Sequence, residues 1–540
     1  MNIVHWVLAP SRSYSNNRRR NVCATVLEIC AGRFPRAAQS GQLCGHVHCR
    51  AAKVPKVANV AVIGGGITGL AAAFYLRKSL PNARVMLFEG GSRLGGNIRT
   101  ERSGNFLIDA GPDSFLRTKP AALELCKELG LERELIGARL GARRVYVARE
   151  GQLTAIPDGL VLGVPTRLAP LLRSRFLSLS GKLRMLAEAF LARGSGRLRG
   201  DSGDESIAAF MTRRFGKEAA ERFAAPLLAG IYAGDANRLS MSATFPQLGV
   251  FEEQHGSVTW GLLLAQLARF KGTAATARFA RVKAAVQWLK AVPPDGADSP
   301  FVSLRTGMGT LIATLAASLG ETRVLIGQKA DSIQRNGDTW SVFAAGIRHD
   351  FDAVVLAPQA HAAANLLPAG ALSDELRAIR YASTATVFLG FDERTLTRPL
   401  DGSGFIVPPG EGRVLAGTWI TSKWEGRAPD GSVLVRAFLG GARSDIDVSQ
   451  EDDETLAAVS LSELERLAGR LGVPRFTRVH RHIASNPQPT VGHQARLGRI
   501  NSALTALPGL HLAGAAYDGV SIADCIRQAR RAAEKIAGSH

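Results

Sequence analysis

A short β-branched run that breaks directly into a glycine loop, and then into a helical pattern, constrains this chain more than any other feature. Val60-Ala-Val-Ile63 reads as a buried parallel strand. It leads without a spacer into Gly64, Gly65, Gly66, Ile67, Thr68 and Gly69, and a helical apolar pattern runs from Leu70 to Leu80. With 57 glycines in 540 residues, roughly 0.6 matches to Gly-x-Gly-x-x-Gly arise by chance, so the surroundings must carry the argument. They do. A second strand, Arg84-Val-Met-Leu-Phe88, ends in Glu89, 20 residues after Gly69, where a carboxylate accepts hydrogen bonds from an adenosine ribose. Gly64 permits the tight turn, Gly66 lets backbone approach a pyrophosphate, and Gly69 lets helix and strand pack closely. The pyrophosphate then sits on the positive end of the helix dipole. All six loop residues and Glu89 are candidate contacts to a dinucleotide.

The next segments bear on which dinucleotide. The chain continues Arg93-Leu-Gly95-Gly96-Asn-Ile-Arg-Thr100, then Asp109-Ala-Gly111-Pro112-Asp113-Ser114. Near the other end, Pro508-Gly-Leu-His-Leu-Ala-Gly514 reads as a strand ending in glycine, followed by Ala-Ala-Tyr-Asp-Gly-Val520-Ser-Ile522-Ala-Asp524 and a helix. Ile522, Ile526, Ala529, Ala533 and Ile536 repeat along that helix as one buried face. Cys525 lies beside the stripe and reads as core. The first of these segments resembles the R-x-G-G-x-x-x-[S/T] stretch of the amine-oxidase-like flavoproteins. The resemblance implies that Arg93, Gly95 and Gly96 close over the diphosphate of an FAD. It also implies that Gly111, Pro112, Asp113 and Ser114 lie near the flavin. The last helix would aim its N-terminus at the flavin pyrimidine, with Gly514, Val520, Ile522 and Asp524 at the cofactor. One non-covalent FAD is expected, in a discontinuous Rossmann-like domain where both ends of the chain meet.

Further segments are similar to the oxygen-dependent porphyrinogen oxidases of the haem pathway. Ala225-Pro-Leu-Leu-Ala-Gly-Ile-Tyr-Ala-Gly-Asp235 with Leu239-Ser-Met241 resembles that family's P-[LF]-x-[AS]-G-[IV]-Y-A-G-D…L-S. Val164-Pro-Thr166 and Leu177-Ser-Leu-Ser-Gly-Lys-Leu-Arg184, Pro487-Gln-Pro-Thr-Val-Gly-His493 and the closing Asp524-Cys-Ile526 also match it. Thr244-Phe-Pro246 and residues 252–255 look closest to the bacterial branch. One departure is Ala515, where the family usually has Asn. The resemblance implies a six-electron oxidation of protoporphyrinogen IX or coproporphyrinogen III, with O2 reduced to hydrogen peroxide. Such chemistry needs an apolar slot for a flat macrocycle, a basic group for its propionates and few acid–base residues. Consistent with that, the body shows no Ser/His/Asp triad, paired-carboxylate signature or helical His-x-x-x-His, and no catalytic residue is assigned. Arg143 and Arg144, just before Val145-Tyr-Val147, are the candidate propionate ligands; the alternative is a solvated pair at a strand start. His493 reads as a structural hydrogen-bonding residue. A flavin amine oxidase or carotenoid-type desaturase is the competing enzyme reading, and a non-catalytic FAD-binding scaffold the competing class.

Charge adds expectations about partners. The net charge is +21, which favours anionic partners such as acidic lipid or a carboxylate-rich small molecule; no nucleic-acid partner is expected. Residues 155–200 hold eight Lys/Arg against Asp158 and Glu188, interleaved with Leu171, Leu172, Phe176, Leu177, Leu179, Leu183, Leu186, Phe190 and Leu191. That pattern suits an anionic membrane surface; the alternative is a core-facing helix pair with solvated arginines. No apolar run reaches the roughly 18 residues of a spanning helix. A cytoplasmic enzyme is expected, peripheral on the inner membrane if the basic segment meets lipid, monomeric or homodimeric, handing product to the next haem-pathway enzyme.

The expected architecture is α/β plus α+β. Residues 1–57 read as a disordered leader, either a transit peptide with an organelle destination or a misassigned start. Four of the six cysteines fall there, and Cys44-Gly-His-Val-His-Cys49 does not match common zinc spacings, so no metal site is expected. Residues 58–112, 300–358 and 490–540 make the FAD-binding domain, 113–154 and 359–489 an antiparallel-sheet substrate domain, and 155–299 a mainly helical insert. Within the FAD domain, Val324-Leu-Ile326 and Trp340-Ser-Val342 are expected to pair as a hairpin around Asn336-Gly337.

Overall fold

The computed structural model describes residues 59–139, 142, 144–191, 203–270 and 299–538. The expectations for residues 1–57 and for Arg143 therefore lie outside the described residues.

The β-branched run becomes the middle of a five-stranded parallel sheet. Its order is Arg323–Ile326, Arg84–Glu89, Asn59–Ile63, Ala353–Leu356, Leu510–Leu512. Val60 faces Val85 on one side and Ala353 on the other. A strand covered on both faces needs apolar residues throughout, and Val60 to Ile63 are all buried. The helix Ile67–Ser79 packs on one face beside the C-terminal helix Ile522–Gly538. The full stripe Ile522, Ile526, Ala529, Ala533 and Ile536 is buried there, with Cys525, in one core with Val60, Leu70 and Leu76. Each large aliphatic side chain so buried contributes about 1.5–3 kcal/mol. Residues far apart in sequence thus form one nucleotide-binding layer.

The hairpin expectation needs correction. Val324 to Ile326 lie in the parallel sheet, paired with residues 87–89. The strand that turns back through Gly337 is Ala330–Asn336, which pairs with Thr339–Ala344, and Ile347–Phe351 completes a three-stranded antiparallel sheet. Val324-Leu-Ile326 is instead the edge strand of the parallel sheet, with Leu325 buried and Ile326 exposed, whereas Ala330–Asn336 buries Ala330 and Ile333 and leaves its other residues at least partly exposed.

The second large sheet has seven strands, in the order Phe476–Pro487, Tyr381–Asp392, Ser432–Gly440, Ala416–Trp419, Gly404–Ile406, Val145–Arg149, Gln152–Ala155. It is antiparallel except where Gly404–Ile406 runs parallel to Val145–Arg149. A parallel pair needs a long crossover, and the chain between these strands includes the helical insert. Ser432–Gly440 is buried along its whole length, Arg436 included. A small sheet of Phe115–Leu116, Phe301–Leu304 and Leu135–Gly137 ties the two large sheets together, joining segments that the sequence reading assigned to separate domains.

The insert packs helices Leu179–Leu186, Ile207–Phe215, Ala225–Gly230, Pro246–His255 and Val258–Phe270 around its own core. Its basic segment faces both ways. Leu171, Phe176, Leu177 and Met185 are buried, whereas Leu172, Leu179, Leu183, Phe190 and Leu191 are exposed, Leu179 by 72% and Phe190 by 82%. Among the described residues, no helix is long and apolar enough to cross a membrane.

Candidate functional site

The glycine loop forms a cradle because side chains are missing where backbone must be. A Cβ on Gly69 would stand 1.8 Å from the Gly64 carbonyl oxygen, so the helix could not seat on the first strand. A Cβ on Gly66 would meet nothing within 4 Å; that opening lies at the N-terminus of the helix Ile67–Ser79. The helix carries no side-chain cap and no acidic residue in its first turn, leaving first-turn N–H groups and the positive dipole end for an anion. Glu89 closes the loop from below: its Oε2 accepts from the Gly65 N–H and its Oε1 from the Gly91 N–H, both at 2.6 Å.

A second glycine turn lies across the first. The Gly95 N–H donates to the Gly65 carbonyl at 2.8 Å, and Gly96 sits over Gly66, leaving 3.3 Å for a Cβ. Arg93 braces this turn from within, donating to the carbonyls of Gly96 at 2.6 Å, Leu94 at 3.1 Å and Ile98 at 3.2 Å. Its role here is to shape the loop. The fit to a dinucleotide pyrophosphate is therefore good: two backbone turns, an uncapped helix end and an anchored ribose-side carboxylate.

The loop 109–114 leaves the cradle and enters a buried seam of charge. The Asp113 carboxylate is held by Arg436 at 2.9 Å, Lys423 and the Trp424 indole N–H at 3.2 Å, and the Ser114 hydroxyl at 2.9 Å. Asp109 meets Arg427 at 3.2 Å and accepts from the Met308 N–H at 2.9 Å and from Thr100 at 2.5 Å. All five charged residues are nearly fully buried. Burial raises the Asp109 carboxyl and lowers the Lys423 ammonium, and the opposite charges beside them resist both shifts. The sequence reading placed Asp113 and Ser114 at the cofactor; their side chains are engaged with protein groups in this seam.

At the C-terminal end, Ser521 and Asp524 form a capping box. Each accepts the other's backbone N–H at 3.2 Å, and Lys119 bonds the Asp524 carboxylate at 2.5 Å. Burial alone would raise Asp524, but Lys119 and Ser521 outweigh it and hold the carboxyl below its usual range. Asp524 thus fixes the helix end. The Gly514 N–H donates to Gln528 at 3.3 Å, and Val520 packs against the core of the insert. Tyr232 lies near enough to feel the Asp524 charge, which adds to burial in raising its phenol. Gln488 donates to the Tyr232 carbonyl at 2.8 Å, and His493 shares a hydrogen bond with the Ala516 carbonyl at 3.0 Å. Burial pushes His493 down to about 4, so it is a neutral structural partner. The segments around Tyr232, Gln488 and Asp524, distant in sequence, converge on the start of the last helix.

Arg144 is exposed at the end of the seven-stranded sheet and ion-paired with Asp401 at 2.9 Å, which also accepts from the Tyr146 hydroxyl at 2.6 Å. Sequence reading missed Lys119, Lys423, Arg427, Arg436 and His482. One signal was available: Arg436 interrupts an apolar strand, Val433-Leu-Val-Arg-Ala-Phe-Leu439, where an unpaired charge would be prohibitive. Its partners could not be read locally. Among the described residues, no group of His, Cys, Asp and Glu is placed to hold a metal.

Comparison with known proteins agrees with this geometry. The family described as flavin containing amine oxidoreductase matches residues 67–537. Coproporphyrinogen III oxidase of Bacillus subtilis (strain 168) is 34% identical over 481 residues, spanning 88% of this chain and 97% of that one. Protoporphyrinogen oxidase of Homo sapiens is 32% identical over 511 residues, spanning 89% and 98%. The crystal structure of a provisionally assigned protoporphyrinogen oxidase from Exiguobacterium sp. 255-15 superposes with a TM-score of 0.75 at 31% identity, covering 89% of this chain and 99% of that one. The chain is therefore a member of the flavin-containing amine oxidoreductase family, in the group of the coproporphyrinogen III and protoporphyrinogen oxidases, and its cofactor is FAD.

Proposed function

We propose that this chain oxidises a porphyrinogen, with coproporphyrinogen III as its substrate. The observation that carries the reading is the packing of Val520, just before the last helix, against the core that holds Ile231, Tyr232 and Ala236, since the segments around Tyr232 and Asp524 carry the motifs most particular to the porphyrinogen oxidases. The choice of coproporphyrinogen III is supported by the bacterial relatives of that name, 34% and 36% identical in Bacillus subtilis and Propionibacterium freudenreichii. When bound, FAD would supply the hydrogen acceptor for oxidising the macrocycle, with O2 as the terminal oxidant. The protein's part is to bind, orient and exclude water. The glycine turns would hold the diphosphate and Glu89 the ribose side, and Ser521, Asp524 and Lys119 fix the start of the helix Ile522–Gly538. The buried histidines His482 and His493 are both bonded to backbone carbonyls and neutral, which fits a reaction carried by the cofactor.

The assay is growth of porphyrin fluorescence from coproporphyrinogen III and protoporphyrinogen IX, with peroxide followed alongside. Faster turnover of coproporphyrinogen III is expected. Turnover of polyamines or phytoene, and of neither porphyrinogen, would reject the reading. Arg144 is proposed as a propionate ligand that exchanges Asp401 for substrate; in the same assay Arg144→Ala then raises KM and leaves kcat unchanged.

We also propose that the enzyme works in the cytoplasm against an anionic lipid surface. Support comes from Leu172, Leu179, Leu183, Phe190 and Leu191, each exposed, in a segment that also carries the exposed Arg173 and Arg175. Apolar side chains ringed by basic ones are what an interfacial segment requires. Co-sedimentation with phosphatidylglycerol vesicles is expected at low salt and should be lost near roughly 0.5 M salt, and Leu179→Ser with Phe190→Ser should weaken it. Absence of low-salt binding would dismiss the proposal.

A further inference from the structure

Three consecutive carbonyls where the loop 109–114 leaves the cradle are bonded to side chains of the seven-stranded sheet. The Asp109 and Gly111 oxygens accept from Arg436 Nη1 at 3.4 and 3.1 Å. The Ala110 oxygen, between them, accepts from Thr386 Oγ1 at 2.9 Å and is bonded to His482 Nε2 at 3.1 Å. These donors come from three neighbouring strands of the seven-stranded sheet, Tyr381–Asp392, Ser432–Gly440 and Phe476–Pro487. The Ala110–Gly111 peptide is trans, so its N–H points opposite to its carbonyl. With the Ala110 oxygen drawn into the sheet, the Gly111 N–H points away from it.

That N–H donates to no acceptor among the described residues, whereas the preceding Ala110 N–H is taken by the Arg99 carbonyl at 2.9 Å. Gly111 itself lies beside the cradle. A Cβ on Gly111 would stand 1.9 Å from the Asn97 oxygen, and Asn97 follows Gly96, which lies against Gly66. The clamp is stiff. Arg436 packs against the rings of Phe388 and Phe438, 5.6 and 4.5 Å from their centroids. Burial pushes His482 down to about 4, so near pH 7 its ring is neutral with one N–H, and the contact to the Ala110 oxygen assigns that hydrogen to Nε2.

We infer that Thr386, His482 and Arg436 are positioning residues that draw the Ala110 and Gly111 carbonyls into the substrate sheet and so present the Gly111 N–H to the flavin ring as a hydrogen-bond donor. A donor held at a ring heteroatom favours the state with more electron density there, and held rigidly it costs no reorganisation when that density arrives. The substrate sheet would in this way tune the ring as well as face it. The inference rests on the FAD reading, and FAD content is measured separately so that the two can fail independently.

The test compares Thr386→Val, His482→Leu and His482→Gln with the parent holoenzyme, reading FAD per chain, the visible flavin spectrum, the midpoint potential and the anaerobic rate of flavin reduction. Arg436 is left intact, because its loss would also strip a partner from Asp113. Thr386→Val and His482→Leu are expected to keep FAD, displace the flavin bands, lower the midpoint potential and slow reduction by about tenfold, the worth of one hydrogen bond. His482→Gln, which keeps a donor, is expected to restore most of this. Parental spectra and potentials in both Thr386→Val and His482→Leu would overturn the inference. Should His482→Leu fail to fold or to hold FAD, parental values in Thr386→Val alone would do the same.

Discussion

The glycine cradle and the buried charge seam adjoin one another, yet they are built on opposite principles. In the cradle, function comes from what side chains leave out: the room over Gly66 and the close seat of Gly69 on Gly64. In the seam, function comes from side chains that could not be buried singly: Asp109 and Asp113 with Lys423, Arg427 and Arg436. The cradle is local, completed within residues 59–96. The seam is non-local, joining residues 109–113 to residues 423–436. Contiguous backbone can form a phosphate site wherever strand, turn and helix follow one another. A buried charge is tolerable only if the whole fold delivers its partner.

This contrast can be broken or sharpened by experiment. The largest effect is expected in the cradle. Gly69→Ala puts a methyl group 1.8 Å from a carbonyl oxygen and should abolish FAD binding, measured as flavin absorbance per chain. Gly66→Ala, with open space around its Cβ, should keep the melting temperature of the cofactor-free protein and lose FAD affinity. A stoichiometric yellow Gly69→Ala protein would show that the cradle does not depend on close approach.

Next comes the seam. Asp113→Asn leaves Lys423 and Arg436 without their carboxylate, and removing one partner of a buried ion pair typically costs about 3–5 kcal/mol. Urea denaturation of the variant should show a loss of that size. A loss near that of an exposed pair would mean that water reaches the seam.

The smallest effect is on pH. Burial pushes His482, His493 and His511 down to about 4, from an ordinary value of 6.5. Between these values the unfolded chain binds more protons, about three in all if each histidine counts once. The stability contributed by keeping these rings neutral is therefore full above pH 6.5 and is lost as pH falls toward 4. The melting temperature should drop across that window, and His482→Gln should flatten the slope by about one proton.

Much of the site was legible because its logic is local. The strand, glycine turn, helix and terminal acid follow within about thirty residues, so residues 60–89 could be read directly. The stripe Ile522 to Ile536 was equally plain, being a single helical face. The reading failed where pattern and partner separate. Val324 to Ile326 reads as one arm of a hairpin, but it pairs with residues 87–89 as the edge strand of the parallel sheet, a partner far away in sequence. For Asp113, Ser114 and Asp524 the motifs point to the cofactor, and the structure adds what no local pattern gave, the partners of their side chains: Asp113 and Ser114 in the charge seam, Asp524 in a capping box with Ser521. Arg144, the propionate-ligand candidate, pairs with Asp401 at the surface, a partner that only the fold reveals.

By itself the sequence determined the chemistry of the nucleotide layer, since glycine spacing, an uncapped helix start and a terminal carboxylate are properties of consecutive residues. It also carried the buried stripe Ile522 to Ile536, which packs into one core with Val60, Leu70 and Leu76. Only the tertiary structure decided where the buried charges go, which carbonyls of the loop 109–114 bond to the seven-stranded sheet, and which apolar residues of the basic segment stay exposed. Those outcomes depend on strands hundreds of residues apart coming to lie a hydrogen bond from one another, as Thr386 and Ala110 do at 2.9 Å. No local pattern encodes such a distance, because it is set by the packing of the whole chain.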